Sequence, residues 1–225
     1  RPRPQSADGG FSAKGGILMR EVDPETTKRA AAFESWMGAR CPMVTLTHTS
    51  DVTRLLRQSR RSGRKFNMLL CWCAARAAAG MEEFYLLPVG EKLMRFERLA
   101  VNVVVKTARG GINTCDVPFS EDIAQFERDY LSLTAQVAGS GEAFDLGDGY
   151  MVIGTSAMPE CTIDSAVNIY TGVFNNPFLI WGRRRRRFLR AELPISLQFH
   201  HVQLDGGDAA RYFLSLQGEM DGLRD

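Results

Sequence analysis

Histidine is scarce in this chain, with three residues in 225. Net charge is nearly absent as well. At +2 it gives no global reason to expect a nucleic-acid partner. Any electrostatic case must be local, and the one run that could make it is "GRRRRRFLR" at 182–190. The five cysteines, Cys41, Cys71, Cys73, Cys115 and Cys161, are an odd set without repeated spacing. A zinc ribbon needs one CxxC pair matched by another, so no metal site is expected. Cys71 and Cys73 sit inside "NMLLCWCAARAAAG", which reads as a buried helix carrying reduced thiols. No apolar run approaches the roughly 20 residues of a membrane span, and the N-terminus lacks a signal-peptide core. A membrane partner is therefore not expected, and a cytoplasmic location is.

What is present is an ordinary globular balance, 44% hydrophobic and 24% charged. The expected organisation is a flexible, Pro- and Gly-rich tail over 1–15 followed by one domain over 16–225. Strand patterns occur at 16–22 and, with alternation and β-branching, in "PMVTLTHT". Between them "DPETTKRAAAFESWMGAR" carries helix start and stop signals, which puts Arg29 in mid-helix. Ser50 and Asp51 are candidate caps for a helix in which Val52, Leu55 and Leu56 keep one face. A further helix is expected over 67–79. Strands follow near 84–89, 92–96 and 99–107, then an amphipathic helix with Ile123, Phe126, Tyr130, Leu133 and Val137 on one side. Strands at 150–155, 166–171 and 195–199, and a helix after Asp208, complete the chain. Helices bunched between groups of strands predict an α/β two-layer sandwich with a mixed sheet.

The stretch "ISLQFHHVQLDGG" places two of the three histidines at a strand end. Strict alternation would turn His201 to the Leu197/Phe199 side and His200 to the side of Ser196 and Gln198. A single histidine in such a place is ordinarily a hydrogen-bonded structural residue. The pairing, the strand-end position and the Asp-Gly-Gly turn behind it favour an acid–base role instead. His48 is the one other imidazole available, too few for a metal site.

"HHVQLDGG" matches the HHxxxDG signature of CoA-dependent acyltransferases, and the chain around it resembles the chloramphenicol acetyltransferase family. That family is related to the catalytic domains of 2-oxo-acid dehydrogenase acyltransferases. "VDPETTKRAAAFESW" resembles its opening helix, with Arg29 at an arginine position. "DVTRLLRQSRRSGRKFNMLLCWCAARAAAGMEEF" resembles its helix, basic turn and second helix. "IGTSAMPE" resembles a strand-and-turn "VSxxPW". The likeness runs from about Val22 to Leu223.

The resemblance implies an acetyl-CoA-dependent O-acetyltransferase. In it His201 is the general base and Ser156 the hydroxyl that stabilises the oxyanion. Asp205 pairs with Arg29 to hold the site wall. Lys65, Arg183 and Arg184 are implied to bind the CoA phosphates, and Trp36, Cys41 and Ile112 to line the acceptor pocket. Homotrimers are implied too, with Trp36 and Cys41 reaching His201 from the next subunit.

The pattern also departs from drug-modifying members. "PECTIDSAVN" has Glu160 where they carry a tryptophan, and lacks their phenylalanines. Ile180 replaces a threonine. The implied acceptor is a small hydroxylated compound, with chloramphenicol one candidate. Two alternatives keep the same fold: a non-catalytic trimeric scaffold, and an acyltransferase like the dehydrogenase domains with a non-drug acceptor. Nucleic-acid binding through the arginine run is the weakest reading.

Overall fold

The structure, a computed structural model, describes residues 19–170 and 172–223. The expected 1–15 tail lies outside them. A short strand β1 (Met19–Glu21) leads through a 3-10 turn at Pro24–Thr26 into α1 (Ala30–Trp36). Then come β2 (Met43–Asp51), α2 (Thr53–Ser62) and α3 (Phe66–Ala79). Strands β3 (Leu86–Val89), β4 (Lys92–Phe96), β5 (Arg98–Lys106) and β6 (Ile112–Pro118) precede α4 (Ile123–Ser140). The last third holds β7 (Tyr150–Met158), β8 (Phe178–Gly182), β9 (Arg185–Arg187), β10 (Arg190–His200) and α5 (Gly206–Gly222).

The main sheet runs β2-β10-β8-β7-β5-β6, with β9 paired to β10; β1, β4 and β3 form a small separate sheet. β7 pairs in parallel with both β5 and β8, while the other neighbours are antiparallel, so the sheet is mixed as expected. Apolar residues in register, Leu46, Leu197, Leu179 and Val103, point to one face, and α2 to α5 cover it. The core is continuous from Leu55 on α2 through Cys73 on α3 and Phe126 on α4 to Tyr212 on α5. The opposite face carries Thr47, Ser196, Gln198, Ser156 and Asn102. There the Thr47 and Ser196 hydroxyls meet at 2.8 Å.

Several expectations need correction. Residues 166–170 form no strand. They cross the polar face of the sheet and bond to its side chains: the Ala166 N–H donates to Ser196 Oγ, and Gln198 Nε2 donates to the Asn168 carbonyl. Side-chain partners replace a ladder, so alternation alone did not make a strand. Three strands went unforeseen, β6, β8 and β9. Arg29 is not in mid-helix but at the N-terminal boundary of α1, its side chain turned away from the helix end toward the turn after β10. Ser50 does not cap α2; it is buried in β2, and Asp51 bonds the Thr53 N–H at 2.9 Å. The last helix starts before Asp208, at Gly206, capped by Asp205.

Candidate active site

β10 ends at His200, so alternation no longer governs the next residue. The His200 ring is buried, and its Nδ1 accepts the Val202 N–H at 3.1 Å. Burial, and then the neighbouring His201, push its pKa down to about 4. His200 is therefore a neutral structural imidazole with its proton on Nε2. His201 opens the turn, its main-chain N–H donating to the Pro42 carbonyl at 2.8 Å. Its ring stacks on Trp36, centroids 4.8 Å apart and planes 19° from parallel. Nδ1 of His201 is buried without a hydrogen-bond partner, which leaves Nε2 as the nitrogen an incoming hydroxyl can reach.

The loop carrying His201 is held by Arg29. Its Nε donates to the Val202 carbonyl and its Nη2 to the His201 carbonyl, both at 2.8 Å. Nη1 bridges Asp205 at 3.1 Å and Asp208 at 3.0 Å. The resemblance implied an Arg29–Asp205 pair, and Arg29 makes it. Here Asp205 is half exposed, and the deeply buried acid is Asp208. Asp205 and Asp208 also cap α5 reciprocally, each side chain taking the other's N–H. The Asp208 N–H is the first cause holding the Asp205 carboxyl below the usual carboxylate range, with Arg29 adding to it. Arg211 extends the network by bridging Asp208 and Glu83. Asp208 and Arg211 are the functional-loop residues that reading the sequence missed. An acid three residues after a helix cap is the signal that could have found Asp208.

Trp36 reaches His201 within its own chain, which corrects the expectation that the neighbouring subunit supplies it. Cys41 also belongs to this side, being exposed and next to Pro42, the backbone partner of His201. Tyr170 joins them. Burial, and then the charge of Cys41, raise its phenol pKa, and its hydroxyl donates to Asn175 Oδ1 at 3.3 Å. Ile112 is elsewhere, exposed on the far edge strand β6.

Ser156 lies half-buried on β7, in register with Ile180, which is itself in register with Ser196. His201 is five residues beyond Ser196. A strand rise of about 3.3 Å and a strand spacing of about 4.8 Å put the Ser156 and His201 backbones roughly 19 Å apart. An imidazole and a serine hydroxyl cannot close that gap onto one carbonyl. Ser156 occupies the polar face of the sheet beside a second unforeseen pair: Asn102 Nδ2 donates at 2.7 Å to Asp116, whose pKa burial raises. Next to Ser156 the Phe178 ring lies over Gly154. A Cβ on Gly154 would lie 2.2 Å from the Phe178 ring, so only glycine fits there.

Of the residues expected to meet the CoA phosphates, Lys65 and Arg184 stand at the same turn. Lys65 immediately precedes α3 and is exposed, and the guanidinium of Arg184 lies 6.0 Å from the ring centre of the next residue, Phe66. Trp181 Nε1 donates to Asn67 at 3.4 Å and fastens the end of β8 to the same turn. Arg183 follows, its N–H bonded to the Cys161 carbonyl at 2.6 Å. A helix N-terminus with two or three cations suits a phosphate group. Arg185 is otherwise engaged, with Asp164 and the Ile163 carbonyl. Among the described residues no cluster of three His, Cys, Asp or Glu side chains is placed to hold a metal, and no helix is long and apolar enough to cross a membrane.

A mixed sheet with helices on one face is the fold of chloramphenicol acetyltransferases and of the 2-oxo-acid dehydrogenase acyltransferase cores. A dihydrolipoamide acetyltransferase from Azotobacter vinelandii superposes with a TM-score of 0.62 at 17% identity, covering 97% of each chain. A chloramphenicol acetyltransferase structure gives 0.79 at 19% identity, over 90% of this chain and all of that one. The chloramphenicol acetyltransferase family profile matches residues 18–217, and this chain belongs to that family. Chloramphenicol acetyltransferase 3 of Escherichia coli is 26% identical over 181 residues, covering 76% of this chain and 83% of the relative. Chloramphenicol acetyltransferase 2 of the same organism is 24% identical over 184 residues.

Proposed function

We propose that the protein is an acetyl-CoA-dependent O-acetyltransferase in which His201 is the general base, acting at a site shared between copies of the chain. The observation that carries this reading is the immobilised imidazole. Trp36 stacks on its ring, and Arg29 fixes the carbonyls of His201 and Val202. Such restraint matches the needs of proton transfer at a defined point.

In this mechanism His201 Nε2 removes the proton of the acceptor hydroxyl as its oxygen attacks the thioester carbonyl. The tetrahedral intermediate carries an oxyanion, and the Ser156 hydroxyl donates to it. Collapse breaks the C–S bond, and His201 returns the proton to the departing thiolate. The acetyl ester and free CoA leave. Lys65, Arg183 and Arg184 take the CoA phosphates. Because Ser156 stands roughly 19 Å from His201 in one chain, the serine is supplied by a second copy, consistent with a homotrimer. The polar sheet face that bears Ser156 suits that contact. Trp36, Cys41 and Tyr170 form the acceptor side together with the base.

The acceptor is a small hydroxylated compound. Glu160, which pairs with Lys106 at 2.9 Å, stands where drug-modifying members have an aromatic, so chloramphenicol is one acceptor to test rather than the presumed substrate. The test follows free thiol from acetyl-CoA with chloramphenicol and a panel of other hydroxyl compounds, using His201→Ala as the control. Acceptor-dependent release that is lost in the variant is the expected result. If acetyl-CoA fails to bind, the enzyme reading fails, and a scaffold of the same fold replaces it.

A further inference from the structure

The arginine run ends in a feature the acyl-transfer chemistry does not use. β9 pairs with β10 through Glu192 and Arg185, Ala191 and Arg186, and Arg190 and Arg187, which leaves Phe188 and Leu189 as a two-residue turn. Phe188 is 95% exposed and Leu189 88%. Phe188 is also the one non-glycine among the described residues with a positive φ, 55°. A two-residue hairpin with positive φ at its first central position ordinarily places glycine there. The chain instead sets a phenylalanine in a left-handed conformation and gives it no packing in return. Strain at a bulky exposed residue points to a role outside the folded chain.

The surroundings are cationic. Arg186, Arg187 and Arg190 flank the tip; Arg187 meets Glu192 only at 3.8 Å and Arg190 meets Asp51 only at 3.7 Å. Exposed pairs at such distances leave most of the positive charge available. α2 starts against the same hairpin, where Thr53 Oγ1 accepts the Ala191 N–H at 2.8 Å, and it carries the exposed Arg54, Arg57, Arg60 and Arg61. The apolar tip is convex, so a protein partner would need a matching pocket, whereas a bilayer accepts a wedge without one. The Phe188 ring can stack on a nucleobase but the Leu189 beside it cannot, whereas both side chains enter a bilayer. Apolar residues on a basic collar are the combination that holds peripheral proteins on anionic lipid.

We propose that the 185–192 hairpin is a membrane-docking element: Phe188 and Leu189 enter the interfacial layer of an anionic phospholipid bilayer, and Arg186, Arg187 and Arg190 meet its headgroups. The test is co-sedimentation of the full chain with vesicles of phosphatidylcholine containing about 30 mol% phosphatidylglycerol, compared with phosphatidylcholine alone. Native protein binds the anionic vesicles at least about tenfold better than the neutral ones. The double variant Phe188→Gly with Leu189→Asn loses about tenfold of that binding while its thermal midpoint stays equal or rises, because glycine accepts the left-handed turn. Absence of native binding to anionic vesicles overturns the proposal, as does equal binding by the double variant. A change in oligomer size of the variant without vesicles would make the tip a contact between copies and overturn it too. So would tip-dependent binding to single-stranded RNA without binding to vesicles.

Discussion

Trp36 and His201 face each other as nearly parallel rings, 4.8 Å between centroids, within one chain. α1 thus presents an indole to the imidazole presented by the turn after β10, and the stack fixes the plane in which His201 Nε2 meets a proton. Trp36→Ala should lower kcat by about 10- to 100-fold with a smaller change in KM for acetyl-CoA, since a misplaced base fails mainly in the transition state. Trp36→Phe should keep most of the activity. Steady-state kinetics on the three proteins checks this.

Arg29 spends every donor nitrogen on the His201 loop and the start of α5. Arg29→Ala should cost about 3–5 kcal/mol, because it leaves the His201 and Val202 carbonyls without their donors and takes from the buried Asp208 one of its two cations. Arg29→Lys should recover little of this, since an ammonium cannot span the His201 and Val202 carbonyls and the acids together. Urea unfolding of the variants measures both.

Asp208, rather than Asp205, should be the costlier acid to neutralise. The Asp208 side chain is 10% exposed against 48% for Asp205, and it serves Arg29, Arg211 and the helix cap at once. Asp208→Asn should reduce stability by a few kcal/mol and Asp205→Asn by about 1 kcal/mol. Equal effects would mean that Arg29 leans on the exposed carboxylate after all.

His200 should make the fold sensitive to acid. Its folded pKa of about 4 lies below the ordinary 6.5, so the unfolded chain takes up a proton that the folded one refuses. The stabilisation is complete above about pH 6.5 and drains away as pH falls toward about 4, by at most about 3 kcal/mol. His200→Asn keeps an acceptor for the Val202 N–H without the titration. Denaturation midpoints across that window should fall less steeply in the variant than in the native protein.

Much of this architecture is legible in the residues, and the failures have physical causes. β2 and the half of β10 around the histidines show alternation because one sheet face is packed and the other polar. β8, "FLIWG", is apolar throughout, since helices cover one side and the 159–170 segment the other, so no period marks it. β9 is three arginines and becomes a strand only by pairing with β10. Local pattern places Arg29 in mid-helix with no partner, because its partners lie 172–179 residues away, beyond the reach of any local signal. The histidine pair stood out by position alone, whereas Ser156 was identifiable only through family resemblance, a strand serine being ordinary in itself.

The most direct test of the account is complementation between two inactive variants. His201→Ala and Ser156→Ala each should lose at least about 100-fold in kcat with chloramphenicol or whichever hydroxyl compound proves to be the acceptor. Unfolded together in equal amounts and refolded, they should recover about one quarter of native activity, because a quarter of the shared sites then combine an intact His201 from one copy with an intact Ser156 from the next. A mixture no more active than its parents would contradict a site divided between copies.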